Sequence, residues 1–338
     1  MISLNNAPHN APGNTAESLL EIRGLEICFE TEEGIITAVS DVSLKVAPGK
    51  TLGLVGESGC GKSVTCHAVL RLTPPNGHVV HGEILYNGMD LLRIDPAKLD
   101  RIRGHDIAMI FQDPSSSLNP VHTIGRQLVE SLTLHRGMDK TTGRAEALRL
   151  LDTVGIPEAK RRLGEYPHQL SGGMNQRAMI AMALACRPKI LIADEPTTAL
   201  DVTIQAQILE LLQQLKREYG MALVLVTHDL GVVAEQADDV AVMYMGRIVE
   251  EASVIDLFRR PSHPYTIGLL SSIPRVDRNV GHLHPIEGSI PSPFETLPGC
   301  TFEPRCRFSS ERCRQGIPVL EAIRREQQSA CFHPQGIA

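Results

Sequence analysis

Eight consecutive residues, Gly56-Glu57-Ser58-Gly59-Cys60-Gly61-Lys62-Ser63, set three glycines against a lysine and a hydroxyl. An apolar run over residues 51–55 precedes them, and residues 64–72 read as the start of a helix. Strand, glycine loop, Lys-Ser and helix in that order make a phosphate-binding P-loop. Without a Cβ, glycine lets backbone N–H groups turn inward around an anion at a helix N-terminus. Lys62 adds a mobile positive charge for the β- and γ-phosphates, the Ser63 hydroxyl suits Mg2+, and Val64 closes the cradle. The loop predicts a nucleoside triphosphate ligand. Asp194 and Glu195 end a second apolar run, over residues 189–196. Asp194 stands where a Mg2+ partner is needed, and a carboxylate beside it, Glu195, can orient and deprotonate a water. His228 ends a third run, over residues 222–227. An imidazole there can donate to the γ-phosphate, although an isolated histidine at a strand end also serves structural roles.

Near-continuous apolar runs of this kind suit parallel strands covered on both faces, with ligands at their carboxyl ends. Residues 19–29 alternate loosely as a strand, and residues 35–39 and 42–46 read as two further short strands before the Pro48-Gly49 turn. Residues 82–88 predict a strand and turn, and residues 107–111 a short strand leading into Gln112-Asp113-Pro114. From 121 to about 163 the apolar period turns helical. Leu170-Ser171-Gly172-Gly173-Met174-Asn175-Gln176-Arg177 opens another helix, residues 204–219 form an amphipathic one, and a hairpin closes around Met245-Gly246. Beyond Phe258 proline becomes frequent and four cysteines gather, which places a boundary there.

In 338 residues, 42% apolar, there is room for one large domain plus an extension. A net charge of −6 and the absence of Trp argue against a nucleic-acid partner. No window predicts a membrane-spanning helix. Residues 1–18 lack a basic region followed by an apolar one, so they predict a disordered stretch and not a secretory signal. The expectation is a cytoplasmic chain whose eight cysteines form no structural disulfides. Cys28, Cys66 and Cys186 lie in apolar contexts and read as core residues. Cys300, Cys306, Cys313 and Cys331 lack the close pairs of a structural zinc site, whereas iron–sulfur ligation tolerates wider spacing. Arg305, Arg307, Arg312 and Arg314 flank them and would favour thiolates. A cluster, zinc and unliganded thiols all stand as readings.

The run from Leu170 to Arg177 resembles the signature of the ABC ATPases. Gln112 resembles their Q-loop, Ala199-Leu200-Asp201 their D-loop, and His228 their switch histidine, in the family's order over residues 19–258. The resemblance implies an α/β, P-loop ABC-type nucleotide-binding domain. Its parts would be a mixed sheet core, an antiparallel β subdomain and a helical subdomain at about residues 113–187. It implies ATP as ligand, catalytic roles for Glu195, His228 and Gln112, and Mg2+ held by Ser63, Gln112 and Asp194. It also implies a head-to-tail pair, in which Ser171, Gly172, Gly173 and Asp201 complete the ATP site of the partner. Phe29 aligns with an aromatic that stacks on adenine in relatives, and a packed role in the core stands equally. Asn175 departs from the family's usual Gln one turn into the helix, with little expected effect. Cys60, beside Lys62, could be a reactive thiol or a small filler; the filler reading is preferred.

Three further runs carry a narrower resemblance: His263-Pro264-Tyr265-Thr266, Gly288 to Pro291, and Gly299-Cys300-Thr301-Phe302-Glu303-Pro304-Arg305-Cys306. They resemble the C-terminal extension, here residues 259–338, of oligopeptide and dipeptide importer ATPases. This resemblance implies a [4Fe–4S] cluster on Cys300, Cys306, Cys313 and Cys331, with zinc as the alternative. It implies as partners a second, homologous ABC ATPase subunit in a heterodimer, two membrane-spanning permease subunits and an extracytoplasmic substrate-binding protein. The location implied is peripheral, on the cytoplasmic face of the inner membrane. Another cargo (nickel, haem or sugar) or a non-transport ABC ATPase is the alternative. A simple P-loop kinase is opposed by the signature run.

Overall fold

The computed structural model describes residues 18–198, 200–272, 286–295 and 297–336. Of the calls above, the N-terminal stretch before Ser18 and Ala199 of the D-loop lie outside these residues.

Alternating burial builds the opening. Strands β1 (Leu20–Thr31) and β2 (Gly34–Val46) pair antiparallel, each turning apolar residues inward in alternation. The two short strands expected after residue 34 are one strand. The pairing shifts register opposite residues 24 and 26, where Asp41 takes a positive φ of 55° and Gly24 one of 53°. A bulge absorbs the interruption, so the strand bends without ending. The chain then leaves for a second sheet as β3 (Thr51–Val55), buried at every position. After helix α1 (Lys62–Val69) it returns as β4 (Gly77–Tyr86) and β5 (Met89–Asp90), giving a four-stranded sheet of order β2-β1-β4-β5.

Helix α2 (Pro96–Ile102) leads to β6 (Ile107–Ile110). A helical block follows: α3 (Pro114–Ser117), α4 (Ile124–Arg136), α5 (Lys140–Thr153), α6 (Ala159–Arg162) and α7 (Gly172–Leu184). Strand β7 (Ile190–Asp194), α8 (Val202–Tyr219), β8 (Ala222–Thr227), α9 (Leu230–Gln236), β9 (Asp239–Tyr244) and β10 (Arg247–Ser253) complete the central part. Side-chain oxygens of Thr123, Asp139, Ser171, Asp201 and Asp229 accept backbone N–H groups at the starts of α4, α5, α7, α8 and α9, so each start is written in the sequence.

Strands β6, β7, β8, β3 and β9 run parallel, so their carboxyl ends share one edge. Period-two alternation then divides the core. On β7, Ile190 and Ile192 face the antiparallel sheet, while Leu191 and Ala193 face the helices. The large sheet is thus covered on one face by the antiparallel sheet with α1 and α2, and on the other by α4, α5, α7 and α8.

The region past Phe258 was expected to be a loop-rich extension, but it also builds on the main sheet. Helices α10 (Val254–Arg259), α11 (Pro264–Ser271) and α12 (Glu311–Gln315) precede β11 (Glu321–Arg324) and β12 (Gln327–Ser329). Strand β12 pairs with β10, giving the order β11-β12-β10-β9-β3-β8-β7-β6. Glu250, fully buried on β10, accepts from Ser262 N and His263 N at 2.8 Å each and from Gln327 Nε2 at 2.7 Å. Glu250→Ala would strand three buried donors, each worth about 1–3 kcal/mol when unpaired. Urea unfolding of this variant should show a loss of about 3 kcal/mol or more. A midpoint equal to wild type would contradict the role given to Glu250.

Candidate nucleotide-binding and hydrolytic site

The glycine loop sits where no side chain fits. At Gly56 a Cβ would stand 2.1 Å from the Met243 carbonyl oxygen, and at Gly61, 2.5 Å from that of Ala38. Both glycines have positive φ, 154° and 105°. The loop is therefore pressed between β9 and β2 and opens into α1. Lys62, 4% exposed, folds over it and donates from Nζ to the carbonyls of Gly56 (2.8 Å) and Glu57 (2.9 Å). A phosphate would compete for the same ammonium. Cys60 Sγ lies 3.7 Å from that ammonium, yet burial pushes its thiol up against the pull of Lys62. Its burial favours the reading of Cys60 as a small filler.

The next strand end completes the polar cluster. Ser63 Oγ donates to Asp194 Oδ1 at 2.8 Å, across 131 positions of sequence. Asp194 is 2% exposed, and burial pushes its carboxyl up while the Ser63 hydrogen bond draws it down. His67 Nε2 stands 3.6 Å from the other oxygen. Ser63 and Asp194 thus form a preformed oxygen pair of the kind that fits Mg2+.

Glu195 is the hub of the remaining residues. Its backbone takes a positive φ of 45°, a costly conformation for a non-glycine residue. Glu195 Oε2 accepts from Gln112 Nε2 at 2.8 Å and from Thr198 Oγ1 at 2.9 Å, and His228 Nδ1 lies 3.5 Å from Oε1. Gln112, Glu195 and His228, which follow three separate strands, come together. Thr198 was missed; its only signal was its place three residues after Glu195. His67 was missed because a histidine one turn into a helix carries no motif.

Other predicted residues stand apart from this cluster. Ser171 caps α7, its Oγ accepting from Met174 N at 3.3 Å, and Ser171 and Gly172 are exposed. Asp201 caps α8 by accepting from Ile204 N at 3.0 Å. Phe29, half-buried, lies over Gly77 and packs on the core between the two sheets, which favours the packed reading. Asn175 is buried and donates to the Pro167 carbonyl at 3.0 Å. Glu57, Ser58, Gly59 and Val64 lie in or beside the loop as expected.

The expectation of a [4Fe–4S] cluster, and of zinc in its place, is corrected. Among the described residues no group of three or more His, Cys, Asp or Glu side chains is arranged to hold a metal ion. Cys300, Cys306, Cys313 and Cys331 do line one cavity, but the space open between them admits at most a single water. The flanking arginines are engaged elsewhere. Arg305 turns to Glu57 and Arg314 to Glu303, while Arg312 lies over the Phe332 ring and Arg307 over Phe308. Burial pushes Cys300 up to about 11 and Cys331 up to about 12, and also raises Cys306. So small a space does not fit a metal centre.

The profile described as "ABC transporter" matches residues 39–198, and that described as "Oligopeptide/dipeptide transporter, C-terminal region" matches residues 249–313. The chain is 51% identical over 314 residues to the oligopeptide transport ATP-binding protein OppD of Haemophilus influenzae, covering 93% of this chain and 97% of that protein. To the protein of the same name from Salmonella typhimurium it is 48% identical over 333 residues, covering 98% of each. Among solved structures it is similar to a dimeric, post-hydrolysis ATP-binding cassette bound to ADP and Pi. That likeness has a TM-score of 0.63 and 30% identity, and covers 70% of this chain and 98% of that one. The heterodimer expected above is not supported by these findings: the similar dimer is described as the structure of one cassette.

The tight fit of the loop yields a paired test. Gly56→Ala meets the Met243 carbonyl, whereas Gly59→Ala meets nothing within 4 Å and has only its φ of 78° to overcome. Thermal unfolding should show a loss of more than about 3 kcal/mol for the first and about 1–2 kcal/mol for the second. Equal losses would contradict the packing described.

Proposed function

The chain belongs to the ABC transporter family, in the branch that carries the oligopeptide/dipeptide C-terminal region, and from that membership we propose that it is the ATP-hydrolysing subunit driving uptake of di- and oligopeptides. The observation that carries the hydrolytic part is Glu195, a strained carboxylate held by Gln112 and Thr198 with His228 beside it. The peptide part rests on the names of relatives that match nearly the whole chain.

On this reading the loop from Gly56 to Ser63 holds the phosphates, with Lys62 released from its two carbonyls to follow them. Ser63 and Asp194, with Gln112, would hold Mg2+, which supplies charge neutralisation on the phosphate oxygens. Glu195 orients and deprotonates the attacking water, and His228 donates to the γ-phosphate. Thr198 and Gln112 fix the Glu195 carboxylate, so Gln112 can report the state of the site to the helical block that follows it. The start of α7, with Ser171 and Gly172 exposed and Gly173 behind them, offers its hydroxyl and N–H groups outward, which suits the nucleotide of a second ATPase unit packed head-to-tail, with Asp201 at the same seam. Among the described residues no helix is long and apolar enough to cross a membrane. Translocation therefore needs membrane-spanning permease subunits, with this chain docked peripherally on their cytoplasmic side, and an extracytoplasmic protein that delivers the peptide.

Glu195→Gln in the assembled transporter should keep ATP binding and lower hydrolysis by about a hundredfold or more, with peptide uptake lost in parallel. Wild-type turnover would sink the role of Glu195. Normal turnover stimulated by another cargo and not by peptides would sink the substrate.

A further inference from the structure

The C-terminal region reaches back onto the glycine loop at one residue. Arg305, its side chain 4% exposed, donates from Nη1 to Glu57 Oε2 at 2.8 Å and from Nη2 to Oε1 at 3.1 Å. Such a two-pronged fork fixes both the charge and the orientation of a carboxylate. The guanidinium is itself held: Nε donates to the Glu287 carbonyl at 3.2 Å, and Nη1 lies 3.4 Å from the Tyr244 hydroxyl. From the same region, the fully buried Tyr265 accepts the Glu57 N–H on its hydroxyl at 2.9 Å. Residues 57 and 305 lie 248 positions apart, so nothing local requires the pair. Glu57 follows Gly56 directly, which puts a carboxylate inside a loop whose ligand is a polyanion. Left unpaired, it would oppose that ligand.

We propose that Arg305 is a positioning residue for nucleotide binding: by neutralising Glu57 and pinning its carboxylate, it lets the C-terminal region set the affinity of the loop for the triphosphate. This rests on the reading of Gly56 to Ser63 as the ATP site. A merely structural ion pair would steady the fold without regard to ligand charge. A positioning role makes the effect of losing Arg305 grow with the charge of the nucleotide and vanish when Glu57 is neutralised as well.

The test is calorimetric titration of ATP and ADP into the full-length chain. Arg305→Met should weaken ATP binding about tenfold and ADP binding by less. Adding Glu57→Gln to it should recover about fivefold of the loss, because the unpaired carboxylate is then gone. Arg305→Lys keeps the charge without the fork, and its ATP affinity should fall about threefold; it carries the test if Arg305→Met does not fold. Unchanged ATP affinity in the Arg305 variants overturns the proposal, as does an equal loss for ATP and ADP with no recovery in the double variant. A wild-type chain that binds no ATP overturns the reading of the loop, and the proposal with it.

Discussion

The carbonyl oxygen of Met243 stands where a β-carbon on residue 56 would have to be, and most of the site follows from that contact. It forces glycine at the end of β3 and holds the loop against β9. The Ala38 carbonyl does the same from β2 at Gly61. The loop is thus walled by backbone from both sheets, and its conformation is set before any ligand arrives. Such rigidity is what an anion cradle of N–H groups needs, since freedom lost on binding would weaken it. Lys62 and the Ser63–Asp194 hydrogen bond then have fixed places from which to act.

Parallel pairing does the rest of the assembly. Because β3, β6, β7 and β8 run the same way, residues far apart in sequence arrive at one edge. Gln112, Asp194, Glu195 and His228 meet there without a dedicated scaffold. The polar turn at Ser171 belongs to the helical block instead, and its exposure is the physical reason to look for its ligand on another chain. A site split in the proposed way would make hydrolysis depend on assembly, which suits an ATPase that should act only when it moves something.

Much of this was legible in the sequence, because the signals were local. Buried strands announce themselves as apolar runs, the helical block as a change of apolar period, and the loop as glycines at fixed spacing. The failures were non-local. Strand β2 read as two strands because the bulge at Asp41 depends on its pairing with β1. Strands β11 and β12 are short and polar, and only the edge offered by β10 makes them strands. The cysteine reading failed on the arginines: their positions suggested charge beside the thiols, whereas Arg305 and Arg314 spend theirs on Glu57 and Glu303.

The central claim is that the glycine loop is half of a site and that Ser171 belongs to the other half. Among the described residues the Ser171 hydroxyl serves to cap α7, and losing an N-cap costs about 1 kcal/mol of stability. The direct measurement is steady-state ATP turnover by the assembled transporter carrying Ser171→Arg. The account predicts a fall of about a hundredfold, because the bulky cation would block the partner's phosphates. Turnover equal to wild type would contradict it.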